Sequence, residues 1–194
     1  ARPPLGRPPA AGSWADSRPR DDVAFFAFDT ARIMGNEDED VQKGWLDAVV
    51  GGSDARWKVT FAHHPLRSNG EHGNAGNYEG LGILPDNILY DAAGKGVREV
   101  FDDVLCGRVD VYFSGHDHNR QSFSSDCGIH SVVSGAGAKV TDFAYRDDNS
   151  AVDLWGDDQR PGFMWAEINL ETDVFKGEWY DLDGNLDYIH SFSK

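Results

Sequence analysis

The chain has 194 residues, of which 40% are hydrophobic and 12% aromatic, and its 33 acidic side chains outnumber 18 Lys and Arg for a formal net charge of −15. This length and composition fit one folded domain with a sizeable core and exclude an intrinsically disordered chain. The acidic balance disfavours nucleic acid and anionic membrane as partners. No apolar run approaches the ~18 residues that a membrane-spanning helix needs, so we expect no membrane partner.

Residues 1–22 form a basic arm that holds five of the eight prolines and four arginines. Such a segment is either a polyproline ligand or a terminal tail. The first residue is Ala rather than Met and no signal-peptide pattern follows it. We therefore expect a processed, truncated or partial chain, in which residues 23–194 belong to one domain.

The first half of the chain predicts an α/β unit. Residues 23–29 are a continuous apolar run that is typical of a buried strand. An acidic segment at 36–40 suits a helix N-terminus, apolar residues at helical spacing follow, and Gly51 ends the helix. Residues 57–62 predict the next strand, so the order is strand, helix, strand.

A long loop at 63–94 follows, rich in Gly and Asn, and a loop of this length in a compact domain is usually functional or disordered. Apolar side chains that include Val97 and Phe101 predict a second helix, which ends near Gly107. Residues 109–113 predict the third strand.

The second half of the chain predicts antiparallel β structure. Short apolar runs alternate with turn-forming residues, and we expect strands at 121–124, 129–133, 163–168, 174–180 and 186–192. The polar, acidic segment 142–160 is predicted to be a surface loop, and Gly135-Ala-Gly137 a tight turn. Cys106 and Cys127 match no zinc motif, so one disulfide and two buried thiols both remain open.

Four of the seven histidines lie in two short motifs, each directly after a predicted strand. His63 and His64 follow the strand at 57–62, and His116 and His118 follow the strand at 109–113. Ligands in open α/β sheets gather at the carboxyl ends of the strands, and imidazole is a common ligand of borderline metals. The sequence therefore predicts a metal site at that edge of the sheet.

Gly115-His-Asp-His-Asn119, taken with His63-His-Pro65 and Glu71-His-Gly73, resembles the calcineurin-like metallophosphoesterase superfamily and, within it, the purple or tartrate-resistant acid phosphatase branch. The resemblance runs over residues 23–194 and includes Phe28-Asp-Thr30 and Ser134-Gly-Ala-Gly137 in the same order. The fold that it implies is the C-terminal part of an α/β/β/α sandwich, with strand-helix-strand units followed by antiparallel strands.

The resemblance also implies a role for each histidine. His63 and His116 would bind the second metal ion, and His118 the first. His72 would be catalytic, contacting the substrate phosphate or protonating the leaving alkoxide. His64 stands at a position that is not a ligand in the family, so it is predicted to line or pack against the site.

Other residues of the motifs are expected to support the site. Asp117 and Asn119 would orient the loop rather than coordinate metal, which is a common duty of residues around a ligating imidazole. Arg67 and Arg120 would either supply positive charge near a phosphate or be surface arginines.

The implied activity is the two-metal hydrolysis of a phosphate ester. The resemblance implies two metal ions, Fe with Zn, Mn or Fe, a phosphorylated substrate and a secreted or lysosomal-vacuolar location.

The chain departs from the family in one large respect. Ahead of its histidines it carries no Asp-x-His or Asp-x-Gly, no Gly-Asp-x-x-Asp/Tyr and no Gly-Asn-His-Asp/Glu, which supply the family's remaining ligands. Three hypotheses follow: a phosphatase that lacks its N-terminal portion, a degenerate non-catalytic binding module, or a mononuclear site made by His63, His116 and His118. We favour the first, and expect the isolated chain to bind metal weakly and to be weakly active or inactive.

Overall fold

A computed structural model of the chain describes residues 16–19, 22–35, 37–83, 92–144 and 147–194. Most of the predicted arm lies outside these residues. Within it, strand β1 (Asp16–Pro19) pairs antiparallel with β2 (Val23–Ala27).

The larger sheet has seven strands in the order β1-β2-β3-β4-β6-β5-β7. Its centre is parallel, because β2, β3 (Trp57–Phe61), β4 (Val111–Ser114) and β6 (Ile129–Ser134) run in one direction. Strands β5 (Arg120–Asp126) and β7 (Asp153–Asp157) add antiparallel pairs at one side. The predicted α/β unit is confirmed. The prediction of a loop over 142–160 is wrong at β7, whose backbone pairs with the otherwise open edge of β5.

Among the described residues, three helices cover one face of this sheet. They are α1 (Thr30–Met34), α2 (Glu39–Gly51) and α3 (Lys95–Val100), which continues into a π-helical turn at Phe101–Leu105. Helix α1, which the sequence did not predict, begins at Asp29, whose side chain accepts hydrogen bonds from the backbone N–H of Ala31 and Arg32. Helix α2 begins in the acidic segment, as predicted, where negative charge meets the positive end of the helix dipole.

A second sheet covers the other face. It is antiparallel, with the order β10-β9-β8, and comprises β8 (Gly162–Asn169), β9 (Val174–Asp181) and β10 (Leu186–Ser193). Trp57 and Val59 of the large sheet pack there with Phe175 of β9. The helix side of the large sheet buries Phe26, Leu46 and their neighbours in a separate core. The layers are thus helices, sheet, sheet, as expected for the C-terminal part of an α/β/β/α sandwich.

A disulfide joins Cys106 to Cys127, with the Cα atoms 5.2 Å apart, and this decides between the two possibilities that the sequence left open. Cys106 lies just before β4 and Cys127 just before β6. Because these strands are parallel neighbours, the bond ties together their amino ends, at the edge of the sheet opposite to the histidines.

Candidate metal centre

The carboxyl ends of β2, β3 and β4 bring the two histidine motifs together. Because these strands are parallel and adjacent, the residues that follow each of them meet at one edge of the sheet. His63 follows β3 and His116 follows β4, and His116 Nδ1 lies 3.0 Å from His63 Nε2. The prediction that both motifs share one edge is confirmed.

Three imidazoles form a close group there. His63, His64 and His116 each offer one ligand atom, and these atoms all lie within 4.8 Å of one another. The ring centroid of His64 is 4.3 Å from that of His116 and 4.8 Å from that of His63. His63 is exposed, His116 half-buried and His64 buried, so the group opens to solvent on the His63 side.

The turn after β4 sets the direction of the His116 ring. His116 has a φ of 66°, in the left-handed region that residues other than glycine rarely adopt. Hydrogen bonds on either side hold the turn, from Gly115 N to His63 O at 3.1 Å and from Asn119 N to Asp117 O at 2.9 Å. The backbone conformation is thus imposed by the surrounding structure, and it directs the imidazole towards His63.

His64 is fixed from several sides. Its Nδ1 lies 2.8 Å from Thr30 Oγ1, which also accepts a 3.1 Å hydrogen bond from the His64 backbone N–H. The hydroxyl of Tyr112 donates to the His64 carbonyl. These contacts leave Nε2 as the ring nitrogen that is free to act on the site.

The group is chemically suited to a metal ion. Burial, with a smaller contribution from the neighbouring histidines, lowers the pKa of His64 to about 3 and the pKa of His116 to about 4. Both rings are therefore neutral above about pH 5, with a lone pair available. Neutral imidazoles at this spacing suit Zn²⁺, Fe and other borderline ions, so the donors that are present fit the metal that the motifs predict.

His72 lies beside the group, on the long loop after β3. Its ring centroid is 4.2 Å from that of His116, and its side chain is half-buried. Its Nδ1 is paired with Glu79 Oε1. The carboxylate therefore fixes the orientation of the ring.

His118 contributes no atom to the close group, although it lies only two residues from His116. Its backbone carbonyl accepts a 2.9 Å hydrogen bond from Thr141 N. Its predicted role as a ligand of a different ion stays a prediction.

Asp117 ties the loop of His72 to the turn after β4. The carboxylate is fully buried, accepts a 3.1 Å hydrogen bond from His72 N and is paired with the Ser68 hydroxyl. Gly70 is needed at this contact, because a Cβ there would lie 2.4 Å from Asp117 Cγ. Asn119 Oδ1 accepts from Gln121 Nε2 at 2.6 Å. Both side chains therefore bond to neighbouring loop residues, and the prediction that they orient the loop rather than coordinate metal stays a prediction.

Both suggestions for Arg120 are wrong. The side chain is fully buried. Its Nη1 donates a 2.8 Å hydrogen bond to Asp187 Oδ2. Its Nη2 lies 2.9 Å from Asp157 Oδ2 and forms an ion pair there, although the geometry is not that of a hydrogen bond. It also lies over the ring of Trp155. The guanidinium thus joins the two sheets, and its charge is taken up by carboxylates. Arg67 likewise pairs with Asp126, with Nε 2.7 Å from Oδ2.

Sequence reasoning missed three contributors to the site: His64 as a member of the imidazole group, Thr30 as its partner and Glu79 as the partner of His72. The adjacent pair His63-His64 was the one available signal. Glu79 carried none, because loop backbone geometry decides that it faces His72.

The comparisons agree with the motifs. Purple acid phosphatase 3 of Arabidopsis thaliana is 30% identical over 153 residues, which are 77% of this chain and 35% of that protein. No protein-family model matches the chain. The chain spans about a third of the length of this relative.

Two solved structures share the fold. The purple acid phosphatase PPD1 from seeds of yellow lupin, Lupinus luteus, matches with a TM-score of 0.66 at 17% identity, over 93% of this chain and 33% of that one. GAP50, the anchor in the inner membrane complex of Plasmodium, matches with a TM-score of 0.67 at 17% identity, over 93% of this chain and 53% of that one.

Fold, motifs and relatives thus define the chain as a calcineurin-like metallophosphoesterase, of which it comprises the C-terminal portion of the domain. Within that superfamily it belongs to the purple acid phosphatase-like branch.

Proposed function

We propose that this chain supplies the histidine half of a two-metal site that hydrolyses phosphate esters. The observation that carries the proposal is the meeting of His63 and His116 at one sheet edge, 3.0 Å apart between ring nitrogens, with His72 beside them. His63 and His116 would hold one ion and His118 the other.

Ions in such a site polarise the phosphoryl oxygens and lower the pKa of water. The chain's own contribution to the chemistry is His72. Because Nδ1 is paired with Glu79, Nε2 is the atom left to protonate the departing alkoxide oxygen, which is general acid catalysis. Asp117 would keep this ring in place through the His72 backbone N–H.

The remaining ligands would come from an N-terminal portion of the same domain, since the match covers only 35% of purple acid phosphatase 3. The metals proposed are Fe with Zn, Mn or Fe. The substrate would be a phosphomonoester, a phosphodiester or a phosphoprotein. Because the motifs that supply the family's remaining ligands are missing from this sequence, the isolated chain would hold an incomplete two-metal site and hydrolyse such substrates poorly.

The test compares the 194-residue chain with the same chain expressed together with the coding sequence that precedes residue 1. Hydrolysis of p-nitrophenyl phosphate is measured with metal content, and we expect activity in the longer form alone. His116→Ala should abolish this activity, while His190→Gln, which changes a half-buried histidine on β10, should leave it unchanged. Brisk turnover by the short chain with two bound ions would contradict the proposal that this chain supplies only half of the metal site. An inactive longer form that binds metal would favour a non-catalytic module.

A further inference from the structure

We infer that His64 is a metal ligand, and that His63, His64 and His116 together bind one divalent ion of the Zn²⁺ or Co²⁺ type on this chain alone. The inference is independent of phosphatase activity, since it requires no residue outside the described part of the chain. It also differs from the sequence-based hypotheses, in which His64 lines the site and His118 completes a mononuclear one.

The spacing of the three rings supports a common ion. Metal–nitrogen bonds of about 2.0–2.1 Å in a tetrahedral site place the nitrogens about 3.4 Å apart. His63 Nε2 and His116 Nδ1, at 3.0 Å, are within a few tenths of an ångström of that spacing. All three ligand atoms lie within 4.8 Å of one another, so rotation of the side chains has to close about 1.4 Å at most.

The contacts of His64 are those of a ligating rather than a packing histidine. A ligating imidazole binds through one nitrogen and donates from the other to an oxygen, which fixes its tautomer and orientation. Thr30 Oγ1, 2.8 Å from Nδ1, is such an oxygen. The hydroxyls of Tyr112 and Tyr78 donate to the carbonyls of His64 and Pro65, the latter at 2.6 Å, so the backbone beneath the ring is also fixed.

The rings that surround His64 also support its role as a metal ligand. Two of the rings that His64 contacts are imidazoles, at 4.3 and 4.8 Å between centroids. Three imidazoles crowded together bring several nitrogen lone pairs close to one another, and a shared cation satisfies them all.

The experiment titrates the purified 194-residue chain with Co²⁺, followed by visible absorption, and with Zn²⁺, followed by calorimetry. We expect one ion per chain. Loss of an outer partner of a ligand typically weakens metal affinity about 10- to 100-fold, so His64→Gln, which removes a ligand, should weaken it more than about 100-fold. His190→Gln is the matched control, since it removes a half-buried imidazole on β10 from outside the group, and should change affinity less than about threefold.

A measurement on the unmutated chain guards against a variant that fails to fold. In spectra of ¹⁵N-histidine-labelled chain, Zn²⁺ should shift His64 Nε2 and leave Nδ1 protonated. An unshifted His64 Nε2, unchanged affinity in His64→Gln, an equal loss in His190→Gln or the absence of saturable binding would each overturn the inference. None of these readouts depends on hydrolysis, so failure of the proposed phosphatase function would be seen separately.

Discussion

The bond between Cys106 and Cys127 offers a direct test of how the sheet is stabilised. The two residues are 21 positions apart and join the amino ends of β4 and β6. We consider the double variant Cys106→Ser, Cys127→Ser, which removes the bond with little change in side-chain size.

The magnitude follows from the length of the closed loop. Cross-linking residues 21 positions apart removes chain entropy from the unfolded state that is worth about 3 kcal/mol at 25 °C. For a chain of this size, 1 kcal/mol corresponds to a shift of about 2–4 °C in the midpoint of thermal unfolding. The variant should therefore melt about 6–12 °C lower than the oxidised protein.

The assay is urea and thermal unfolding, followed by circular dichroism, of the oxidised chain, the reduced chain and the double variant. The reduced chain should match the variant. Metal affinity should not change while the chain remains folded, because the histidines lie at the opposite edge of the sheet. Equal stability of the oxidised and reduced proteins, or free thiols in the mass spectrum of the purified chain, would refute the reasoning.

Three further predictions concern the interior. Arg120→Met should lower the free energy of unfolding by about 3–5 kcal/mol in urea titrations, because it removes the fully buried cation that pairs with both Asp157 and Asp187. Gly70→Ala should cost about 1–3 kcal/mol in the same assay, because the new methyl group overlaps Asp117. Burial lowers the pKa of His130 to about 4, below an unfolded value of about 6.5, so the unfolded chain binds more protons between these two pH values. Stability should therefore be constant above pH 6.5 as far as this residue is concerned, and should fall by about 1–2 kcal/mol on acidification to pH 4, once partial exposure is discounted.

Each of these predictions has a matched control. Arg160→Met removes a half-exposed cation from the same carboxylates and should cost less than about 1 kcal/mol. Gly137→Ala meets nothing within 4 Å and should be neutral. His130→Phe keeps a ring stacked on Phe192, and it should remove the fall in stability between pH 6.5 and pH 4 that His130 causes. Three results would each contradict the corresponding argument. They are equal losses of stability in Arg120→Met and Arg160→Met, equal effects of Gly70→Ala and Gly137→Ala, and an unchanged fall in stability at acid pH in His130→Phe.

The α/β half of the fold was predictable because its signals are local. Apolar runs before the histidines are buried strands, and the acidic segment before α2 begins a helix. These signals suffice to place His63 and His116 at one edge, since parallel strands end on the same side of a sheet.

Other elements were beyond local reasoning. Strand β7 is polar and half-exposed, and it forms because β5 presents an open edge with which it pairs. Helix α1 has only five residues, too few for a periodic pattern. Arg120 is charged, so its sequence context indicates a surface or ligand role, and only the packing of two sheets brings Asp157 and Asp187 around it.

The sequence by itself determined the chemistry of this protein: which residues are imidazoles, that they follow strands, and that their motifs are those of a metallophosphoesterase. The tertiary structure alone decided which of them meet. His118 is close to His116 along the chain, yet His64 is the residue whose ring joins His63 and His116. The physical reason is that ring direction depends on the left-handed turn at His116 and on the hydrogen bonds that His64 makes with Thr30 and Tyr112, none of which can be read from spacing along the chain.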